Sequence, residues 1–433
     1  MGDNKELPRK AILLALLLHV FTVHGGAVAA DALTLDGYYA AALQRSESTA
    51  IQLEQVHQAE ERLQQADATF WPTINGVATY TWQEPLPTGS PETPSTLQRQ
   101  NLSRIAISQP LFRGMAEYAA LRQSRNLLTA EELGFRHARV LLYKDVVQNF
   151  YNILALEGDI ATYNEEIRLN RERESEIRSR VRIGRSRESE LLNLQSTIST
   201  LLATVEQLRG QLFVAREALA FLSGLDAATP LTGTASTPDK LDPLQSYLEG
   251  IGHRPDVLAA QQRLHAAAEG MRVARGGHLP SLDLNANYYL ERPGYLNESE
   301  WDLQLAVKVP LFAGGSVQSK VREAGSQRNQ AELSQTQILR QAEREVRATY
   351  QSVSLALLQI RALHNASEAA RKSYEAQKRE YSLGLVSNLD VIQSLTTYQQ
   401  NRRALARASL DASSGYLQLL AAAARLPALD AKP

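Results

Sequence analysis

Apolar residues along this chain switch between two spacings, and the switches come in the same order twice. From about Leu33 to Phe70 they recur at helical intervals in an Ala- and Gln-rich run that Trp71 and Pro72 stop. Strict alternation follows. Ile74, Gly76, Ala78, Tyr80 and Trp82 fall on one face, and Thr73, Asn75, Thr79 and Thr81 on the other, with Val77 the exception. Period-two alternation predicts a strand with one apolar face, here over 72–83. Residues from Glu84 to Thr96 carry Pro85, Pro87, Gly89, Pro91 and Pro94 and read as a loop. A second strand is predicted over 101–109, with Ile105 and Ile107 on its apolar face.

The helical period then returns at length. No proline occurs from about Met115 to Ile183, which predicts a helix of about 100 Å. Val146, Ile153, Ile160, Ile167 and Val181 mark heptads within it. Gly184 breaks it. The return helix carries Leu191, Leu194, Ile198, Leu201, Val205, Leu208, Leu212, Ala215, Leu219 and Leu222. Spacings of three and four alternate there, the mark of a coiled-coil seam. After a Thr-, Ala- and Pro-rich linker from Leu225 to Leu241 the plan is restated. A helix ends at Gly276 and Gly277, strands are predicted over 281–291 and 301–309, and a second long helix runs from about Val317 to Leu383. Gly384 turns it into a return helix from about Leu389 to Arg425.

This restatement is a duplication. Pro110-Leu111-Phe112-Arg113-Gly114 returns as Pro310-Leu311-Phe312-Ala313-Gly314, and the same offset relates Arg122 to Arg322, Glu132 to Glu332 and Gly184 to Gly384. The chain therefore divides into residues 1–30, a first repeat over 31–230 and a second over 231–433. The Pro-to-Gly motif reads as a strand-to-helix corner. Pro110 and Pro310 end a ladder for want of an N–H, and Gly114 and Gly314 turn without a Cβ clash.

Composition changes the picture little, except at the start. Net charge is −1, so nothing marks a nucleic-acid partner. Lys5, Arg9 and Lys10, the short apolar run Ala11 to Val20, and Ala27-Val28-Ala29-Ala30 read as a secretory signal cut after Ala29 or Ala30. Cysteine is absent, which removes disulfides, thiolate metal sites and a lipidated N-terminal Cys. The mature histidines are scattered, and His57/Glu60 and His265/Glu269 are lone pairs on polar helices. No enzyme, metal site or cofactor is expected.

The strands decide the class. Each is about the length of a tilted membrane-spanning strand. Their apolar faces carry Tyr80, Trp82, Tyr288 and Trp301 near the ends, as an interfacial girdle does. Their other faces are polar, and Asp283, Asp302 and Lys308 are costly in a dry core. Four strands cannot close a barrel, and open edges are not tolerated in lipid. Further copies of the chain must complete it. The fold class expected is mainly α with a small β part, a long coiled-coil tunnel beneath a barrel shared between copies.

With the duplicated Pro-Leu-Phe-x-Gly corner, the two hairpins and the run Gly384, Ser387, Leu389, Asp390, Val391, the chain resembles the TolC family of outer-membrane efflux and secretion channels over nearly its whole mature length. The resemblance implies a homotrimer whose twelve strands, four per chain, form one barrel in outer-membrane lipid of a Gram-negative-type bacterium. It implies a passive conduit that docks a periplasmic adaptor (membrane fusion) protein and an inner-membrane pump. Asp390 matches the family's acidic constriction position, where three copies would repel, raise their pKa and favour cations. Gln393 stands one turn on, where some members carry a second acidic ring, which weakens the expected cation selectivity. Tyr381 matches the tyrosine that holds the closed state and Glu190 its acidic partner, so Tyr381→Phe is expected to open the channel. Val386 replaces the basic residue of the other link. Gly184 and Gly384 match the grooves that accept adaptor tips, with Arg185, Arg187 and Ser387 beside them.

Two readings stay open at this level. Arg178, Arg180, Arg182, Arg185 and Arg187 are either a solvated face or an electrostatic selector for the adaptor. Asp390 is either a constriction charge or an acidic residue favoured at a helix N-terminus. The rival function is a periplasmic coiled-coil scaffold without pore activity. An enzyme and an adaptor protein fit less well.

Overall fold

The computed structural model describes residues 32–84, 99–294 and 296–426. The expected signal segment and the proline-rich loop at 85–98 lie outside the described residues.

The expected helix over 33–70 is two helices, α1 (Leu35–Arg45) and α2 (Glu47–Ala68). Ser46 divides them. Its backbone leaves helical geometry, and its hydroxyl accepts the Thr49 N–H at 3.4 Å, capping α2. Strand β1 (Thr73–Trp82) follows, then β2 (Arg99–Arg113), α3 (Ala116–Arg182) and α4 (Glu188–Ser223). The second half opens with the short α5 (Leu244–Glu249) and continues through α6 (Pro255–Gly276), β3 (Ser281–Glu291), β4 (Trp301–Lys308), α7 (Ser316–Ser382) and α8 (Asn388–Ala422). The long helices α3 and α7 have 67 residues each.

The four strands form one antiparallel sheet in the order β1-β2-β3-β4. Its apolar face is bare: Ile74, Tyr80, Trp82, Leu303, Leu305 and Val307 are all exposed. Its polar face is internally bonded. Ser108 donates to Asn285 at 2.8 Å, Arg113 pairs with Asp283 at 3.2 Å, and Asn287 and Tyr289 both donate to Asp302 at 2.8 Å. A sheet with its wet side cross-bonded and its greasy side uncovered is made for lipid. Among the described residues no helix is long and apolar enough to cross a membrane.

One expectation fails at the first corner. Pro110 does not end β2, which runs on to Arg113. The register shifts between Pro110 and Phe112, so the proline sits in an irregularity where its missing N–H costs the ladder little. In the second copy β4 stops at Lys308, before Pro310 is reached. The difference comes from stagger. Ser281, the first residue of β3, pairs with Arg113 on one side and with Lys308 on the other. Beyond Lys308 no neighbouring strand remains in this chain.

Each strand passes into or out of a helix in the same order, so α2, α3, α6 and α7 stand side by side beneath β1 to β4. Towards the far end α4 and α8 replace α2 and α6 as partners of the long helices. Apolar cores lie at mid-length. One joins α1, α3 and α4 around Tyr38, Val146, Phe150, Ile153 and Leu219. The other joins α7, α8 and the α5 region around Tyr247, Val346, Val353 and Leu419. The expected seam of α4 is buried against α3 through Leu194, Ile198 and Val205. Arg254 ties the second core to its surroundings, bonding Asp256 at 2.8 Å, Glu345 at 2.9 Å and the Ala422 carbonyl at 2.9 Å.

Gly114 needs to be glycine for two reasons. Its φ is +67°, and an added Cβ would overlap the Gly276 carbonyl oxygen at the end of α6. Gly114→Ala should destabilise the detergent-purified protein by about 1–3 kcal/mol in chemical denaturation. Gly184 has φ +70° but open space around it, so Gly184→Ala should cost only about 1 kcal/mol.

Candidate functional site

The two helical hairpins end in matching turns. Gly184 N–H donates to the Val181 carbonyl at 2.9 Å and Arg185 N–H to Arg180 at 2.8 Å. Gly384 N–H donates to Tyr381 at 3.0 Å and Leu385 N–H to Glu380 at 3.0 Å. Both are left-handed glycine caps, with φ of +70° and +78°. Beyond the glycines the two tips diverge. Ser387 caps α8 and forms a capping box with Asp390: the Ser387 N–H donates to the carboxylate at 2.8 Å and the hydroxyl at 2.6 Å. Arg187 holds the equivalent place before α4 and supplies no cap. Arg182, Arg185 and Arg187 are exposed, with no ion pair among the described residues. Ile183 is exposed on that tip, and Leu383, Leu385 and Leu389 are exposed on the other. One tip is thus basic and the other apolar.

The Ser387 hydrogen bonds hold the Asp390 carboxyl below the usual carboxylate range. Within a chain the shift is downward, opposite to the rise that three neighbouring copies would impose. Gln393 is exposed on the same face of α8, one turn on. Tyr381 and Glu190 are not brought together within the chain. Glu190 accepts from the Ser186 hydroxyl at 2.9 Å, whereas the Tyr381 ring is buried against Arg173 and Arg180 of α3.

Below the tips, polar rungs join α3 to α8. Arg173 donates to Asn388 at 2.7 Å, Arg403 pairs with Glu166 at 2.7 Å and stacks on Tyr163, and Arg407 pairs with Asp159 at 3.2 Å. Glu166 is 1% exposed. Arg173, Glu166 and Asn388 were hidden in sequence, because each lies in a stretch whose polar neighbours are solvated. The one available signal was spacing: Asp159, Glu166 and Arg173 recur every seventh residue on α3. His57, by contrast, pairs with Glu60 at 3.0 Å on an exposed face of α2, and Glu269 is taken by Arg122 and Arg272 rather than by His265.

A family model for outer membrane efflux proteins matches residues 38–225 and 249–425, both halves of this architecture. The chain belongs to that family. Outer membrane efflux protein BepC of Brucella suis biovar 1 is 23% identical over 75% of this chain and 72% of its own length. Outer membrane protein TolC of Escherichia coli K12 is 22% identical over 80% of this chain and 73% of its own. The crystal structure of CusC superposes with a TM-score of 0.79 at 19% identity, covering 90% of this chain and 91% of that one. This efflux protein is therefore an outer-membrane channel protein with the expected fold, mainly helical with a small sheet, and the scaffold reading is not favoured. In this family member the hairpin tips lie at the ends of α3 and α7 opposite the membrane sheet, the distal mouth of the helical part.

The buried rung yields a test. Burial raises the Glu166 pKa, and Arg403 opposes the rise. Arg403→Met should cost about 3–5 kcal/mol near neutral pH by stranding a buried carboxylate. A carboxyl with a raised folded pKa binds its proton more tightly when folded, so ionising it costs stability. The loss should therefore shrink as pH falls through that raised pKa towards about 4, the ordinary carboxylate value. Denaturation midpoints of both proteins across pH check this.

Proposed function

We propose that this channel protein works as a homotrimer, a passive conduit that docks a periplasmic adaptor and an inner-membrane pump. One observation carries the trimer: the seam between β2 and β3 is a template for the seam between copies. At that seam Arg113 pairs with Ser281 and Phe112 with Leu282. The duplicated positions are Ala313 and Phe312 on β4's continuation, and β1 occupies for the next copy the place β3 occupies here. Thr73 pairs with Ser108 as Ser281 pairs with Lys308. The same register sets Ala313 against Thr73 and Phe312 against Ile74 of a neighbour. Phe312 and Ile74 are 92% and 66% exposed in a single chain, as unmet partners would be. Because the sequence has no cysteine, Thr73→Cys with Ala313→Cys should crosslink copies into a covalent trimer in outer membranes and stop there. Monomers only, or an unlimited ladder, would sink the trimer.

At the distal mouth, Gly184 and Gly384 with Arg185, Arg187 and Ser387 form the adaptor-facing surface. The basic first tip suits an adaptor carrying carboxylates, and Leu383 and Leu385 supply an apolar contact beside it. Asp390 forms the constriction, with Gln393 behind it, and the capping box keeps its carboxylate ionised. In planar bilayers the purified protein should give discrete steps with cation preference, lost in Asp390→Asn. A carboxyl of depressed pKa stays charged until the pH falls below the ordinary range near about 4. Ser387→Ala should therefore move the loss of cation preference to higher pH. No steps in any variant would return the chain to a scaffold role.

A further inference from the structure

We propose that the second tip is held shut through the face of the Tyr381 ring, gripped by Arg173 and Arg180, and not through the tyrosine hydroxyl. The proposal rests on the channel reading above. Tyr381 lies in the last turn of α7 and is 8% exposed. The Arg173 guanidinium carbon is 4.1 Å from the ring centroid and that of Arg180 is 4.6 Å away, both within cation–π range. Arg173 also donates through Nε to Asn388 at 2.7 Å, on the first turn of α8, and Asn388 is 2% exposed. One side chain of α3 therefore touches the other hairpin on both sides of its turn.

Glu176 orients the pair. It accepts from Arg180 at 2.7 Å and lies 3.5 Å from Arg173. Residues 173, 176 and 180 form one stripe of α3, so a single helix face presents the whole clamp. Two atoms point to the ring as the operative surface. Arg173 Nη2 is buried without a hydrogen-bond partner, and the electron-rich ring lies against that guanidinium. The Tyr381 hydroxyl makes no hydrogen bond among the described residues. Any movement that separates α7 and α8 from α3 at this height must strip two cations from one ring and break the Asn388 bond. Val386, which leaves the tip without the basic residue expected there, is compatible with this arrangement because α3 supplies the charges.

Ring and hydroxyl give opposite outcomes in Tyr381→Phe, which keeps the ring and deletes the hydroxyl. The experiment measures bilayer conductance together with distances between spin labels at Ser382→Cys, a clean single site in a cysteine-free chain. The three copies of the label report the width of the mouth directly. Tyr381→Phe should match the unsubstituted protein in both readouts. Tyr381→Leu and the double variant Arg173→Gln, Arg180→Gln should raise open probability at least about tenfold and broaden the distances. Thermal stability and trimer migration of each variant show that it has folded. If Tyr381→Phe opens the mouth as far as Tyr381→Leu does, or the double arginine variant stays shut, the clamp is wrong while the channel stands. If the unsubstituted protein shows neither conductance nor coupling between labels, the channel reading falls and takes the clamp with it.

Discussion

A strand edge cannot be left open in lipid, because each unpaired backbone group there costs several kcal/mol. The rest of this molecule follows from that constraint. The sheet of one chain has two edges, β1 and β4, and an apolar face with nothing on it. In the proposed trimer neighbouring copies cover those edges, so the architecture below has to suit a ring. It does: every strand runs straight into a helix, the order of helices copies the order of strands, and the row of α2, α3, α6 and α7 is as open at its two ends as the sheet is. The corners must be tight to keep strand and helix in one wall. At the first of them two backbones, Gly114 and Gly276, approach closer than any side chain would allow.

A wall one helix thick has little core, and its stability has to come from seams. The α3–α4 seam is apolar and repeats by heptads, so by itself it would tolerate a slip of seven residues. The α3–α8 seam would not. Sliding α3 by a heptad one way would set Arg173 against Arg403, and the other way would carry buried Glu166 to Asn388, where no cation meets it. Charged rungs cost desolvation, and in return they fix the relative height of the two hairpins over a length of about 100 Å.

Periodicity made the fold legible. Two strand pairs, two long helices and their glycine turns could be placed because spacings of two and of three to four are properties of local sequence. The errors arose where a neighbour overrode local preference. Pro110 reads as a stop, yet β3 lies beside it and carries the ladder past it through an irregularity. Nothing around Ser46 breaks the helical pattern, yet its hydroxyl finds the Thr49 N–H and starts a new helix. At the tips, the turns at Gly184 and Gly384 and the acidic residue Asp390 at a helix start could be read because turn and helix-end chemistry is local, whereas the Ser387 cap was not read. Arg173 could not: its neighbours Arg171, Glu172 and Glu174 belong to a charge run, and only the approach of the second hairpin distinguishes it. The pairing of Tyr381 with arginine depends on that same distant contact.

The stagger that halts β4 at Lys308 leaves residues 309–313 as a strand waiting for its neighbour, with Leu311 and Phe312 each 92% exposed. A lone chain therefore adds this unpaired stretch to its two open edges and bare apolar face. That stretch is short, contains Pro310 and ends at two glycines, a poor template for uncontrolled growth. In the proposed trimer this exposed stretch is covered only when the last subunit closes the ring.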